Sequence, residues 1–194
     1  MTIPREDKRK AVHLAMTLFA LLLRWLGRWE AAAFAVAAIV LNWVVMPLTG
    51  MDRSLGRERE RFVSGVKLYP VGVLLIILLF PRPVAAAGWA ALGVGDWASN
   101  VIGRRLGRRK LPWNAAKSWA GTIAFVAVGF PAIAFFLWFT WGNGFELPAD
   151  PARLALAAAV AAVAGALVET VPVRWADDNL TVPLAASFAA FLVL

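Results

Sequence analysis

The residues best suited to carry out chemistry lie in the segment 93–122, which reads GVGDWASNVIGRRLGRRKLPWNAAKSWAGT. The segment places an acid, Asp96, inside an apolar helix and follows it with a basic loop that contains glycines. It ends with Lys117 and Ser118 at the start of the next apolar helix. A carboxylate beside such a loop suits a magnesium ion and a polyphosphate. In a membrane-embedded chain this combination indicates phosphate chemistry at the bilayer surface.

Asp96 begins a polar stripe on one face of its helix. Asp96 is followed by Ser99, Asn100 and Gly103 at i+3, i+4 and i+7, which is the spacing of a single helical face. An acid at the centre of a membrane helix costs about 2.5–3.5 kcal/mol on insertion scales, so we expect the stripe to face a polar interior. The alternative is a structural polar seam between helices, with Asp96 paired to an arginine.

The loop that follows the stripe, predicted to run from Gly103 to Trp119, could bind an anion. Gly103 and Gly107 permit a turn with exposed backbone amides, and the next helix would present its N-terminus to negative charge. Lys117 and Ser118 stand where that helix begins, and Gly121 allows close approach of another helix or a ligand. The spacing excludes a Walker A loop, because no glycine precedes the lysine at the required distance. The alternative role of the four loop arginines is to set membrane topology.

A second set of oxygen ligands lies near the C-terminus. Glu169 ends the sixth predicted span, and Asp177, Asp178 and Asn179 precede the seventh. Carboxylates with an amide are good oxygen ligands for Mg²⁺, usually in company with substrate phosphates. We expect this set on the same side of the membrane as Lys117. Its alternative is a polar turn in which Asn179 caps the last helix.

The single histidine, His13, is the remaining candidate for chemistry. It follows Arg9 and Lys10 by about one turn on the same face of the first predicted helix. His13 could orient a phosphate or act as a base, or it could be a structural histidine at the membrane interface. The identity of the base stays open between Asp96, Asp178 and His13.

Membrane helices must position these residues. The chain of 194 residues is 61% hydrophobic, its mean hydropathy is +0.69, and apolar stretches recur along its length, so the bilayer is the expected solvent. We predict one all-α domain over residues 1–194, a polytopic bundle of about seven transmembrane helices. The predicted spans are 11–26, 31–48, 66–80, 83–102, 118–141, 154–173 and 180–194, and one of the short ones could be re-entrant.

The distribution of charge predicts an orientation for this bundle. The net charge is +8, and with a cytosolic N-terminus most basic residues fall on the cytosolic side. The opposite side keeps Arg24, Arg28, Arg82 and Arg153. Such asymmetry is typical of a membrane protein that obeys the positive-inside rule, and it argues against nucleic acid as the partner. The chain has no cysteine, which excludes disulfides and thiolate metal sites.

These motifs, in this order, resemble the CTP-dependent polyprenol kinase family, which includes dolichol, phytol and yeast-type diacylglycerol kinases. The resembling stretches are Arg9-Lys10-x-x-His13, Ser64-Gly65 with Tyr69-Pro70, Gly93-Val94-Gly95-Asp96 through Lys117-Ser118-x-x-Gly121-Thr122, and Glu169 with Asp177-Asp178-Asn179-Leu180 and Pro183-Leu184. The chain departs from the family pattern at Trp97 and Ala116, where a small residue and a lysine are common. It looks closer to the short, phytol-kinase-like forms than to dolichol kinases.

The resemblance implies a lipid-alcohol kinase that uses CTP and Mg²⁺ at the cytosolic face of the cell membrane. The implied metal ligands are Asp96, Asp177, Asp178 and Glu169, and the implied catalytic residues are Asp96, Lys117, Asp178 and His13. The implied nucleotide-binding residues are Gly95, Ser99, Asn100, Gly103, Gly107, Lys117, Ser118, Gly121 and Thr122. The acceptor would be phytol or another isoprenoid alcohol, a polyprenol or diacylglycerol. The alternatives are a CTP:phosphatidate cytidylyltransferase and a small transporter or scaffold.

Overall fold

The computed structural model describes residues 5–50, 65–142, 150–172 and 177–194, and these residues are almost entirely helical. Their α-helices are α1 (Arg5–Thr17), α2 (Arg28–Val40), α3 (Met46–Thr49), α4 (Gly65–Leu79), α5 (Arg82–Ala90), α6 (Asp96–Leu106), α7 (Trp119–Trp141), α8 (Pro151–Thr170) and α9 (Asp178–Val193). The prediction of an all-α bundle is therefore confirmed.

Short non-α turns join several of these helices into longer rods. A 3-10 helix, Leu18–Arg24, extends α1, and π-helical turns at Leu41–Val45 and Ala91–Gly95 join α2 to α3 and α5 to α6. The helical stretches agree with the predicted spans to within four residues at each end, except that the first begins at Arg5, six residues before its predicted start. The basic connection 51–64 and Arg174 lie outside the described residues.

Within the described ranges, three helices are long and apolar enough to cross a membrane: Arg28–Thr49, Trp119–Trp141 and Pro151–Thr170. The apolar stretches Lys67–Leu79 and Asp178–Val193 are shorter. The continuous helix 82–106 is less apolar because it carries Asp96 and Asn100. A count of seven crossings stays a prediction.

The centre of the bundle is α5. Every residue from Pro83 to Ala90 is buried, and α5 packs against α7, α9 and the 3-10 helix. Its small side chains let the neighbouring helices approach closely. A Cβ atom on Gly88, for example, would lie only 2.6 Å from the carbonyl oxygen of Pro183 on α9. Protein therefore surrounds this helix, which explains why it can do without a strongly lipophilic surface.

Arginines cap helix ends at the pole of the bundle opposite Asp178. Arg24 donates to the carbonyl of Phe139 near the end of α7. Arg82 donates to Leu26 O at 2.8 Å, and Arg153 donates to Val193 O, at the end of α9, also at 2.8 Å. Carbonyls at helix C-termini lack intrahelical donors, so guanidinium groups satisfy them there. This set, assigned from sequence to the non-cytosolic side, thus closes one pole of the bundle.

A β-hairpin replaces part of the predicted glycine loop. The helix continues through Gly103 to Leu106, and the chain then forms β1 (Lys110–Leu111) antiparallel to β2 (Asn114–Ser118). The prediction that the loop starts at Gly103 was therefore wrong. The Gly107 amide donates to Gly103 O at 3.1 Å, so it ends the helix instead of facing outward. The last carbonyls of a helix need donors from the residues that follow them, and the Gly107 amide supplies one to Gly103.

Candidate active site

The candidate site is a cluster of charged side chains at one pole of the bundle, centred on Lys117. Lys117 lies on β2, and its ammonium group contacts Glu169 Oε1 at 2.7 Å and Asp178 Oδ2 at 3.1 Å. Glu169 stands near the end of α8 and Asp178 at the start of α9. Because the end of α8 and the start of α9 lie at the same pole, one lysine can join both helices. Two separately predicted motifs, the one with Lys117 and the one with Glu169 and Asp178, therefore meet.

Glu169 is also held from α6. Its two carboxylate oxygens lie 2.8 and 2.9 Å from the hydroxyl of Ser99, which donates to them. Glu169 is only 1% exposed, and a buried carboxylate needs such partners to offset its desolvation. The contact joins the stripe on α6 to the C-terminal acidic set.

Asp96 forms the second centre of the cluster. It is buried, pairs with Lys10 of α1, and accepts at Oδ1 from Asn100 Nδ2 at 2.8 Å. The same amide also lies 2.9 Å from the Asp96 carbonyl oxygen. The stripe on α6 therefore faces the interior, as its periodicity predicted. The alternative of a structural polar seam expected an arginine beside Asp96, whereas the partner in the structure is a lysine.

Lys10 is the functional candidate that sequence reasoning missed. The sequence presents it only as part of the Arg9-Lys10-x-x-His13 motif, whereas in the structure it is 5% exposed and lies against Asp96. Lysine is almost never buried without a partner. The available signal was the combination of a membrane-embedded acid with a basic residue one turn before His13.

His13 sits beside this cluster in a fixed position. Its ring lies against that of Tyr69, with centroids 4.2 Å apart and planes at 31°. The Tyr69 hydroxyl donates to His13 O at 3.0 Å and accepts from Trp89 Nε1 at 2.7 Å. Thr17 Oγ1 donates to the same His13 carbonyl at 2.8 Å. Thr17 of α1 and Tyr69 of α4 thus hold the His13 carbonyl, and Trp89 of α5 holds the Tyr69 hydroxyl.

The cluster is electrostatically connected. Lys117 and His13 are both close enough to Asp96 to interact with its charge. Burial opposes the charge of Lys117, but the carboxylates of Glu169 and Asp178 outweigh that effect and raise the pKa of its ammonium group above the usual range. Lys117 therefore stays positively charged at physiological pH. Among the described residues, three carboxylates meet two ammonium groups here.

The predicted nucleotide-binding residues at the start of α7 make structural contacts. Ser118 is the N-cap of α7 and accepts from Gly121 N at 3.2 Å, while Thr122 Oγ1 donates to Ser118 O at 3.2 Å. The amide of Trp119 donates to Arg109 O across the hairpin at 3.2 Å. Gly121 approaches Gly103, whose Cα would lie 3.3 Å from an added Cβ. Gly121 thus permits close helix packing, one of the two roles predicted for it.

The acidic turn before α9 divides into two roles. Asp177 is the N-cap and accepts from Asn179 N at 2.9 Å, whereas Asp178 faces Lys117. The alternative in which Asn179 caps the helix was therefore wrong, because the residue before the first helical turn supplies the acceptor. Within the described part of the chain, no group of three or more His, Asp or Glu side chains is arranged to hold a metal ion.

An apolar cavity of about 550 Å³ lies next to the cluster. It is lined by α1, the 3-10 helix, the rod formed by α2, the π turn and α3, and α4, with Trp89 from α5. His13, Asn42 and Tyr69 stand on the part of its wall nearest Lys10, and the remaining lining is almost wholly apolar. The cavity therefore has a polar end, which faces the charged cluster, and an apolar end.

Comparison with known proteins supports the resemblance seen in the motifs. The chain is 33% identical to a probable chloroplastic phytol kinase of Triticum aestivum, over 98% of this chain and 68% of that protein. It is 30% identical to the chloroplastic phytol kinase 1 of Arabidopsis thaliana, over 98% of this chain and 67% of that protein. The chain belongs to the polyprenol and phytol kinase family.

Other members of this kinase family show similar relationships. The chloroplastic farnesol kinase of Arabidopsis thaliana is 31% identical over 95% of this chain and 64% of its own length. The chain thus spans about two thirds of the length of its curated phytol and farnesol kinase relatives. Neither a protein-family model nor a solved structure matches it significantly.

Proposed function

We propose that this protein is a membrane-embedded kinase that transfers the terminal phosphoryl group of CTP to the hydroxyl of an isoprenoid alcohol such as phytol. The observation that carries the proposal is the junction of two environments. The polar end of an apolar cavity, at His13 and Tyr69, meets the charged cluster around Asp96 and Lys117. A lipid alcohol has the same division, with an apolar tail and one polar end. Family membership supports the same assignment.

The lysines would receive the phosphates. Phosphoryl transfer depends mainly on positioning and on neutralising the charge of the transferred group. Lys117 and Lys10 place two ammonium groups beside three carboxylates in a buried setting, where electrostatic contacts are stronger than in water. In the proposed complex, Lys117 contacts the terminal phosphate. Exposed arginines at the end of α6 and on the hairpin add positive charge at the entrance: Arg104, Arg105, Arg108 and Arg109.

The donor set also fits Mg²⁺ that arrives with the nucleotide. Mg²⁺ is usually bound by one or two carboxylates together with substrate phosphates and water, not by a cage of protein ligands. Asp96 and Asp178 supply such carboxylates, and Asp178 is accessible, with 40% of its side chain exposed. Asp177 is engaged as a helix cap, and Glu169 by Ser99 and Lys117. When bound, the ion would neutralise charge on the phosphate oxygens.

His13 is the proposed general base, because among the three candidates it alone lines the cavity. In this mechanism His13 accepts the proton of the acceptor hydroxyl as that oxygen bonds to the terminal phosphorus. The bond from this phosphorus to the bridging oxygen breaks, and CDP leaves. Proton transfer by a positioned histidine contributes typically about 10²–10⁴-fold to rate.

The position of the charged cluster at one pole of the bundle also bears on how the protein is oriented in the membrane. We propose that the cluster faces the cytosol, where nucleotides are available, and that the arginine-capped pole faces the opposite side. The predicted excess of Lys and Arg on the cluster side supports this orientation. The basic pole would also attract anionic lipid headgroups.

The proposal is tested by incubating purified protein in detergent with phytol, Mg²⁺ and each nucleoside triphosphate in turn, followed by mass spectrometry of the lipid products. The expected result is a phosphorylated alcohol, formed fastest with CTP. A second reaction contains phosphatidate and CTP. A CDP-lipid from that reaction, without any phosphorylated alcohol, would replace the kinase assignment by that of a cytidylyltransferase.

A further inference from the structure

The apolar cavity has a defined length as well as a polar end. From its polar end to its apolar end, one wall runs from Asn42 on the π turn to Ala31 on α2, and the other from Tyr69 to Ile77 on α4. Met46 of α3 extends the lining beyond Asn42. α2 runs towards the cluster and α4 away from it, so Asn42 and Tyr69 share the polar end. With a helical rise of about 1.5 Å per residue, the two walls are about 16 Å and about 12 Å long.

Buried side chains close the apolar end. Ala31 is 4% exposed and Ile77 is 3% exposed, and both line the cavity together with Leu23 and Leu26. Phe19 on the 3-10 helix and Phe34 on α2 also line the cavity but are exposed, so the side of the cavity between these two helices faces the bilayer. The cavity is thus bounded at the end remote from the charged cluster, and Ala31 and Ile77 form what we call its floor.

We infer that this cavity selects the acceptor by length, and that Ala31 and Ile77 determine the limit. An extended hydrocarbon advances about 1.3 Å per carbon–carbon bond, so a wall of about 16 Å accommodates a main chain of roughly twelve or thirteen carbons. That is the main chain of a C15 isoprenoid alcohol. The last unit of a C20 alcohol bends or projects past the floor, and a long polyprenol extends far beyond the cavity. The inference rests on the proposed kinase function.

Two substitutions at the floor change the cavity in opposite directions. Ala31→Leu adds atoms to the floor and shortens the cavity, whereas Ile77→Ala removes atoms and lengthens it. Ala33→Leu is the matched control, because Ala33 is exposed on the outer face of α2. General damage to folding lowers activity towards every acceptor, so opposite changes in preference report on the cavity itself.

The test measures kcat/KM of wild type and the three variants with geraniol, farnesol and geranylgeraniol, a matched C10, C15 and C20 series. Ala31→Leu is expected to lower the C20 to C10 ratio by about tenfold, the scale of one or two methylene groups in an apolar pocket. Ile77→Ala is expected to raise the same ratio, and Ala33→Leu to leave it unchanged.

A readout without catalysis accompanies the kinetics. Each alcohol should raise the thermal unfolding temperature of the protein in the absence of nucleotide, in the same order of preference. Ratios that stay unchanged in both floor variants of an active enzyme would overturn the length inference. Absence of any phosphorylated alcohol from wild type would instead contradict the kinase proposal.

Discussion

Among the individual residues, Lys117 joins the largest number of separate elements in the charged cluster. From β2 it reaches Glu169 on α8 and Asp178 on α9, and it interacts with the charge of Asp96 on α6. A preorganised cation in such a position needs no reorganisation when a phosphate arrives. Its raised pKa keeps it in the charged form that this role requires.

Replacing Lys117 by alanine should therefore reduce kcat/KM by about 10²–10³, the scale of losing one preorganised donor. Initial rates of lipid phosphorylation measure the effect. Lys110→Ala is the control, because Lys110 is an exposed lysine on the same hairpin. Thermal unfolding of both variants separates loss of chemistry from loss of structure. Near-normal activity of a folded Lys117→Ala protein would remove this residue from the mechanism.

Local patterns predicted individual site residues but not their partners. The helical period places Asp96 and Ser99 on one face of α6, and the structure confirms that both are buried there. The contact of Ser99 with Glu169 joins residues 70 positions apart, and that of Lys10 with Asp96 spans 86. Such pairings depend on how helices pack, and no local spacing encodes them.

Among the elements, the helix 82–106 positions the site through its small residues. Its α5 part is buried on all sides, and its α6 part carries Asp96 and Ser99. Sequence periodicity predicted this span but not its central place, because hydropathy measures apolarity and not which neighbours cover a helix. The hairpin was missed for a similar reason, since β1 has only two residues and no alternating pattern.

Close packing of α5 on α9 gives a prediction at this level. Gly88→Ala should destabilise the fold by about 1–3 kcal/mol, because its Cβ would lie 2.6 Å from the backbone oxygen of Pro183. Gly129→Ala is the matched control, since its Cβ would meet Gly95 Cα at an ordinary 3.4 Å. Thermal unfolding in detergent compares them. Equal unfolding temperatures for both variants would contradict the packing described here.

At the level of the whole molecule, the bundle has two chemically different poles. One holds the buried ion pairs and the hairpin, and at the other Arg24, Arg82 and Arg153 donate to backbone carbonyls near helix termini. The positive-inside pattern predicts which pole faces the cytosol. The approximate bounds of the apolar helical stretches were predictable from hydropathy, because each long apolar stretch must be satisfied by lipid or by protein.

Site-directed labelling tests this orientation. The chain has no cysteine, so Ala115→Cys on the hairpin and Ala152→Cys at the start of α8 each introduce a unique thiol at an exposed position. In vesicles of known sidedness, a membrane-impermeant maleimide should label Ala115→Cys from the cytosolic side and Ala152→Cys from the other. The reverse pattern would place the charged cluster on the non-cytosolic side.

The most direct measurement is the transfer of label from γ-³²P-CTP to a lipid alcohol by the purified protein, with Mg²⁺ present. Label in an organic-soluble product is expected with phytol or farnesol as acceptor. It should fall to background with Asp96→Ala, because that variant removes the carboxylate shared by Lys10 and Asn100. Undiminished transfer by folded Asp96→Ala, or no labelled lipid from wild type, would contradict phosphoryl transfer at this cluster.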